Sequence, residues 1–234
     1  MHIISTLGGG TTSSIIQRTT DWLVSCIWHR SMSRWHADGG RILLAGKTVN
    51  LKLQSADNTT LGAWFIFSDP FYHQLPYPPP PNDDLSFPQR KHIPAALQSR
   101  PTILFLHGNT GTRALPLRTV VYTALTSRLN ANVMAVDYRG FGDSEGYPTV
   151  DGVGKDARAA WDYLMTQGAK PEDVLILGHS LGTAIAGLLS ADLSRDGIRP
   201  RGTVLMSVRS SSLLCVIRKL DQLQPGILIR PQVN

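Results

Sequence analysis

From Thr102 to Ser207 the chain repeats one rhythm, a short continuous run of apolar residues followed by a stretch with helical spacing. TILFLHG is followed by Leu117 to Leu129, ANVMAVDY by Val150 to Met165, DVLILGHS by Leu181 to Leu193, and GTVLMS closes the series. Runs this short and this uniformly apolar read as strands buried on both faces. The second helical stretch sets Ala157, Ala160, Trp161 and Leu164 on one face, and the third does so with Leu181, Ile185, Leu188 and Leu189. Such strands, separated by such helices, predict an α/β fold: a mostly parallel sheet covered by helices on both faces.

Upstream, VNLKLQSADNTTLGAWFIF alternates apolar and polar residues around Asp57-Asn58 and predicts a hairpin of two strands. Asn58-Thr59-Thr60 matches the glycosylation sequon, which matters only in the secretory path. Between hairpin and series lies YHQLPYPPPPNDDLSFPQRKHIP, whose run of four prolines forbids a central strand or helix. An exposed proline-rich loop over 71–99 is expected. No internal repeat is present.

The formal charge of +6 could point to nucleic acid, but Arg195 to Asn234 alone holds seven Lys/Arg against two Asp/Glu. The remainder carries 16 basic and 15 acidic residues, so no phosphate-binding footprint is spread over the fold, and nucleic acid is not expected as a partner. Cys26 and Cys215 fit no metal or redox spacing, and neither a metal nor an organic cofactor is expected. No apolar run approaches the ~20 residues a membrane span needs, and the amino end lacks a signal-peptide layout. Trp22 to Trp28 reads as a short helix, either packed on the domain or peripheral at a membrane surface. The compartment stays open, with the cytoplasm or an internal membrane surface favoured over secretion.

The chemistry-bearing stretch is Gly178-His179-Ser180-Leu181-Gly182, at the seam between the strand DVLIL and the helix after it. A tight strand-to-helix turn strains the serine backbone and crowds the residues two places either side, which favours glycine there. The turn lifts the hydroxyl clear of the sheet, and the helix amino terminus aims free N–H groups at an oxyanion formed beside it. An ordinary Gly/Ser turn is the competing reading. His179 is not expected to accept the Ser180 proton, because the turn sends adjacent side chains in different directions.

Leu106-His107-Gly108-Asn109-Thr110-Gly111 follows the strand TILFL. A glycine-rich turn there can present a second N–H beside that of Leu181, with Asn109 the first choice of donor and Thr110 the next. His107 and Thr110 are expected to line the substrate site. Asp137-Tyr138-Arg139-Gly140-Phe141-Gly142-Asp143-Ser144-Glu145-Gly146 reads as a bent loop braced by an Asp137–Arg139 ion pair.

HGNTG, DYRGFGDSEG and GHSLG, in this order after three successive strands, resemble the alpha/beta-hydrolase superfamily, and within it the monoacylglycerol and lysophospholipid lipase branch. The resemblance runs from about Val49 to Ser207. It implies a serine hydrolase of carboxylic esters, with Ser180 as nucleophile, the N–H groups of Leu181 and Asn109 as oxyanion hole, and a small-molecule or lipid ester as substrate.

One departure from that family stands out. Its chain order is serine, acid, histidine, yet the histidines here are His2, His29, His36, His73, His92, His107 and His179, none beyond Ser180. Asp192, Asp196 and Asp221 lie beyond it, but the first two fall at the end of the helix after Ser180 and in the loop that follows, and read as surface charges; a histidine recruited from an upstream loop, such as His36 or His73, is the lesser alternative. The expected organisation is an amino-terminal extension over 1–46, an incomplete alpha/beta-hydrolase domain over 47–207 lacking its carboxy-terminal strands, and a non-family tail over 208–234 that stays out of the sheet. A truncated and very weak hydrolase is the reading; a non-catalytic lipid-binding or regulatory module and a non-functional fragment are the alternatives. Acyl chain, head group and oligomeric state are not written in the sequence.

Overall fold

A computed structural model describes residues 46–75 and 90–206, together with the backbone of the strand at 227–230. Trp22 to Trp28, the four prolines and most of the tail lie outside the described residues.

The hairpin forms as its alternation predicts. β1 (Thr48–Gln54) and β2 (Thr60–Ile66) pair antiparallel from Thr48↔Ile66 to Gln54↔Thr60. Asn58, at φ 62°, makes the turn, a left-handed conformation that asparagine tolerates. α1 (Asp69–Tyr72) follows at once, and α2 (Ile93–Ser99) precedes β3. α2 falls inside the segment expected to be loop; Pro94 sits in its first turn, where a missing N–H costs nothing, and Ile93, Ala96 and Leu97 are buried.

Next come β3 (Thr102–Leu106), α3 (Pro116–Arg128), β4 (Asn132–Val136), α4 (Val150–Thr166), β5 (Val174–His179), α5 (Leu181–Arg195), β6 (Gly202–Met206) and β7 (Ile227–Arg230). Among the described residues seven strands form one sheet in the order β1-β2-β4-β3-β5-β6-β7. β2 pairs antiparallel with both neighbours, and all pairs from β4 to β7 are parallel.

This order decides where the helices go. The β3-to-β4 connection steps one way along the sheet, whereas β4-to-β5 and β5-to-β6 step the other way. Right-handed crossovers therefore send α3 to one face and α4 with α5 to the opposite one. The cores agree. Phe105 and Ile103 of β3 pack with Tyr122 of α3, while Leu104 and Leu106 pack with Ala157, Trp161, Ile185 and Leu189 of α4 and α5. β5 is central, with Ile176 fully buried on the α4/α5 face and Leu177 on the α3 face.

Three expectations are corrected. Leu188 is exposed, because the buried stripe of α5 runs through Ile185, Ala186, Leu189 and Leu193 and leaves Leu188 to one side. The tail does contribute to the sheet: β7 pairs with β6 from Thr203↔Ile227 to Met206↔Arg230. Pro225-Gly226 and Pro231 leave room for four residues between them, too short for a long element and enough for an edge strand. β6 is accordingly paired on both sides and is not the exposed edge that the tail's expected absence implied.

Candidate functional site

Because α3 leaves β3 toward one face and α5 leaves β5 toward the other, the carboxyl ends of these adjacent strands diverge. In open α/β sheets a crevice generally opens at such a point, the usual place for ligands. The register sets Leu106 opposite Gly178, so two residues further on Gly108 faces Ser180. A methyl group placed on Gly108 would stand 3.0 Å from Ser180 Cβ and 3.1 Å from His179 Nδ1. The HGNTG turn and the GHSLG turn therefore lie directly against each other.

Ser180 is exposed at the tip between β5 and α5, at φ 53° and ψ −116°. A non-glycine residue there is strained by on the order of 1–3 kcal/mol. The strain is held by the turn: the Ser180 N–H donates to Met206 O at 3.0 Å, and its carbonyl accepts from Thr183 N at 2.9 Å and Thr183 Oγ1 at 2.6 Å. The flanking glycines have the packing reason expected of them. A Cβ on Gly178 would collide with the carbonyl of Gly182, and one on Gly182 with the carbonyl of Leu106. Leu181 begins α5, so its N–H has no intrahelical acceptor.

In the facing loop Thr110 takes φ 69°, and its N–H is occupied, donating to Asn109 Oδ1 at 2.9 Å. No hydrogen bond within the described residues claims the N–H of Asn109. Of the two candidate donors, Asn109 is thus the free one. Thr110 is exposed and lies at the mouth, but His107 is fully buried and its ring does not line an open surface. Its Nδ1 lies 2.8 Å from Gly108 O and its Nε2 stands 3.0 Å from Asp137 Oδ1, while Tyr138 and Phe141 pack on the ring. Burial pushes His107 below its usual range, only partly offset by Asp137.

The expected Asp137–Arg139 ion pair does not form, because consecutive turns of the loop send the two side chains apart. Asp137, fully buried, accepts from Arg113 N and Arg113 Nη1, each at 2.6 Å. Burial raises its pKa, but His107 and Arg113 outweigh that and hold it below the ordinary carboxylate range. Arg139 instead grips Asp156 of α4 (Nη2 to Oδ1, 2.7 Å) and Asp57 of the hairpin turn (Nη1 to Oδ2, 2.8 Å). Asp143 joins Arg113 at 2.6 Å and Lys52 at 2.9 Å. The glycine-rich loop is thereby tied to the strand before it, to α4 and to the hairpin.

The other described histidines sit elsewhere. His73 follows α1 and His92 precedes α2, and both elements lie at the amino ends of the parallel strands, opposite to Ser180. Burial and the Arg118 charge lower the pKa of His179. Among the described residues no group of three or more His, Cys, Asp or Glu could hold a metal ion, and no helix is long and apolar enough to cross a membrane. Sequence reasoning missed Arg113 and Arg118, which α3 and the turn before it place behind the HGNTG loop; helical spacing alone marks Arg118 as an ordinary first-turn residue.

Comparison with known proteins agrees with this architecture. The model of the alpha/beta hydrolase family matches residues 103–232. Lysophosphatidylserine lipase ABHD12 of Rattus norvegicus is 36% identical over 161 residues, 68% of this chain and 37% of that protein, and its Danio rerio counterpart is 42% identical over 109 residues, 47% and 28% respectively. Alpha/beta hydrolase domain-containing protein WAV2 of Arabidopsis thaliana is 34% identical over 139 residues, 59% of this chain and 36% of that protein. The chain thus spans about a third of the length of these relatives. Among solved structures, an alpha-beta hydrolase from Vibrio vulnificus superposes with a TM-score of 0.56 at 18% identity, covering 93% of this chain and 70% of its own. The Pyrococcus furiosus esterase Pf2001 gives 0.53 at 15% identity, covering 82% of each. With a family match over more than half its length and the sheet order and crossovers described above, the chain belongs to the alpha/beta hydrolase family.

Proposed function

We propose that this chain carries the nucleophile and oxyanion-binding parts of a serine hydrolase acting on carboxylic lipid esters, with lysophospholipids and monoacylglycerols as the substrate class. The observation that carries the reading is Ser180 itself, exposed at a strained φ of 53° on a strand-to-helix turn and facing the Gly108 turn. Strain of this kind persists where a site is held ready. In this reading the Ser180 hydroxyl attacks the ester carbonyl, and the N–H groups of Leu181 and Asn109 stabilise the oxyanion of the tetrahedral intermediate. A general base takes the serine proton and passes it to the leaving alcohol, and water then releases the acyl group by the same steps. The lipid class rests on the names of the lysophosphatidylserine lipases to which the chain is similar.

In this reading the general base is the part missing among the described residues. No histidine follows Ser180, and no hydrogen bond among the described residues joins its hydroxyl to an imidazole or carboxylate. Loss of one triad member costs on the order of a millionfold in turnover, with roughly a thousandfold over water remaining. The test is to compare the purified chain with Ser180→Ala on a short-chain nitrophenyl ester and with a fluorophosphonate. The expected result is slow fluorophosphonate labelling that Ser180→Ala abolishes, with ester turnover near background. A Ser180-dependent turnover on the order of ten per second would show that a base is present within the chain and overturn the incomplete-triad part of the reading.

A further inference from the structure

Arg118 lies in the first turn of α3 and is 6% exposed, yet its hydrogen-bond partners are carbonyls rather than a carboxylate. Nη1 donates to Thr112 O at 2.6 Å, and Nη2 donates to Gly108 O at 2.7 Å and Thr110 O at 2.6 Å, with Asn109 O further off at 3.4 Å. The placement is costly on two counts. A buried cation loses its hydration, and burial pushes its pKa down. It also stands at a helix amino terminus, where the macrodipole disfavours positive charge. A side chain in a first helical turn leans back toward the amino end, here onto the HGNTG loop.

Peptide geometry gives the arrangement a consequence. In a trans peptide the carbonyl of one residue and the N–H of the next point in opposite directions. With Gly108 O drawn to Arg118 and to His107 Nδ1, at 2.7 and 2.8 Å, the Asn109 N–H must point to the far side of that peptide. The guanidinium donating to that carbonyl also polarises the peptide and strengthens its N–H as a donor. The same logic turns the Gly111 N–H away from Arg118, because Thr110 O faces the guanidinium.

We propose that Arg118 is the positioning residue of the oxyanion loop: its guanidinium gathers the carbonyls of Gly108, Thr110 and Thr112 on one side and so presents the Asn109 N–H to the crevice at Ser180. This rests on the reading of Ser180 as nucleophile and Asn109 as oxyanion donor. Lysine cannot replace it, since a single ammonium lacks the planar fork that reaches three carbonyls at once.

The experiment compares the full chain with Arg118→Met, Arg118→Lys and Arg118→Ala by three readouts: thermal midpoint, fluorophosphonate labelling rate of Ser180, and hydrogen exchange of the loop. In the folded variants the labelling rate is expected to fall about tenfold or more, in line with loss of an oxyanion donor. The amides of Arg113, Ala114 and Leu115, bonded to Asp137 Oδ1, Thr112 Oγ1 and Thr112 O, should exchange faster while β3 and β5 stay protected. Millimolar methylguanidine should restore labelling in Arg118→Ala, which a general loss of stability would not allow. Labelling at the wild-type rate in folded Arg118→Met or Arg118→Lys overturns the proposal, as does faster loop exchange without slower labelling. If Ser180 of the unaltered chain is itself not labelled, the serine-hydrolase reading fails; unchanged loop exchange in the variants would then show separately that Arg118 does not hold the loop.

Discussion

At the scale of single residues, the site is built by what is absent as much as by what is present. Gly182 leaves room for the Leu106 carbonyl, and Gly178 for that of Gly182, so strand and helix can meet behind Ser180. Gly182→Ala puts a methyl group against backbone that cannot rotate away. Overpacking of this kind costs about 1–3 kcal/mol, and the shift it forces falls on β3 and α5, which carry both sides of the crevice. Urea denaturation should show that loss, and a change below about 0.5 kcal/mol would mean that β3 and α5 are less closely packed than described. These glycines were legible in the sequence because a tight turn has a local cause. The partners of Asp137 and Arg139 were not: the two residues are two apart in the chain, but their ion partners, Arg113 and Asp156, lie 24 and 17 residues away. Only the folded loop brings these together.

At the scale of elements, the strand and helix rhythm carried most of the fold, because buried parallel strands and one-sided helices each leave a periodic mark. The short elements did not leave one. α2 and β7 hold seven and four residues beside prolines, too few for periodicity to show. The central place of β5 has a testable cost. Ile176 is fully buried in the apolar α4/α5 core, where a new carboxylate would replace a side chain of a hydrophobic cluster. Ile176→Asp should therefore cost roughly 4 kcal/mol or more and abolish soluble expression, while Leu188→Asp, on the exposed side of α5, should stay within about 0.5 kcal/mol of the parent. A soluble Ile176→Asp protein with an unchanged thermal midpoint would remove β5 from the centre of the core.

At the scale of the whole molecule, carboxylates join parts that the backbone alone leaves apart. Asp57 of the hairpin turn is held well below its ordinary range by the hydrogen bond from Arg139, and Glu145 is lowered by its bonds from Thr60. Burial raises the pKa of Asp143, but the Arg113 hydrogen bond and charge, with Lys52, outweigh it and bring it down to about 2. A carboxylate whose folded pKa is depressed stabilises the fold above its unfolded value and loses that contribution as pH falls through the folded one. For Asp143 the window therefore runs from about pH 4, the unfolded range, down to about pH 2. Its side chain is 42% exposed, so screening limits the contribution to about 1 kcal/mol or less. Urea denaturation at pH 7, 4 and 2.5 should show that the unaltered chain loses more stability across this window than Asp143→Asn does, by up to that amount. The difference should shrink in 1 M salt, where the Debye length is about 3 Å. Equal losses in the two proteins at low salt would mean that the tie from Arg113 and Lys52 to the glycine-rich loop contributes nothing to stability. The loop would then be held by Arg139 with Asp57 and Asp156, and by Asp137 with Arg113.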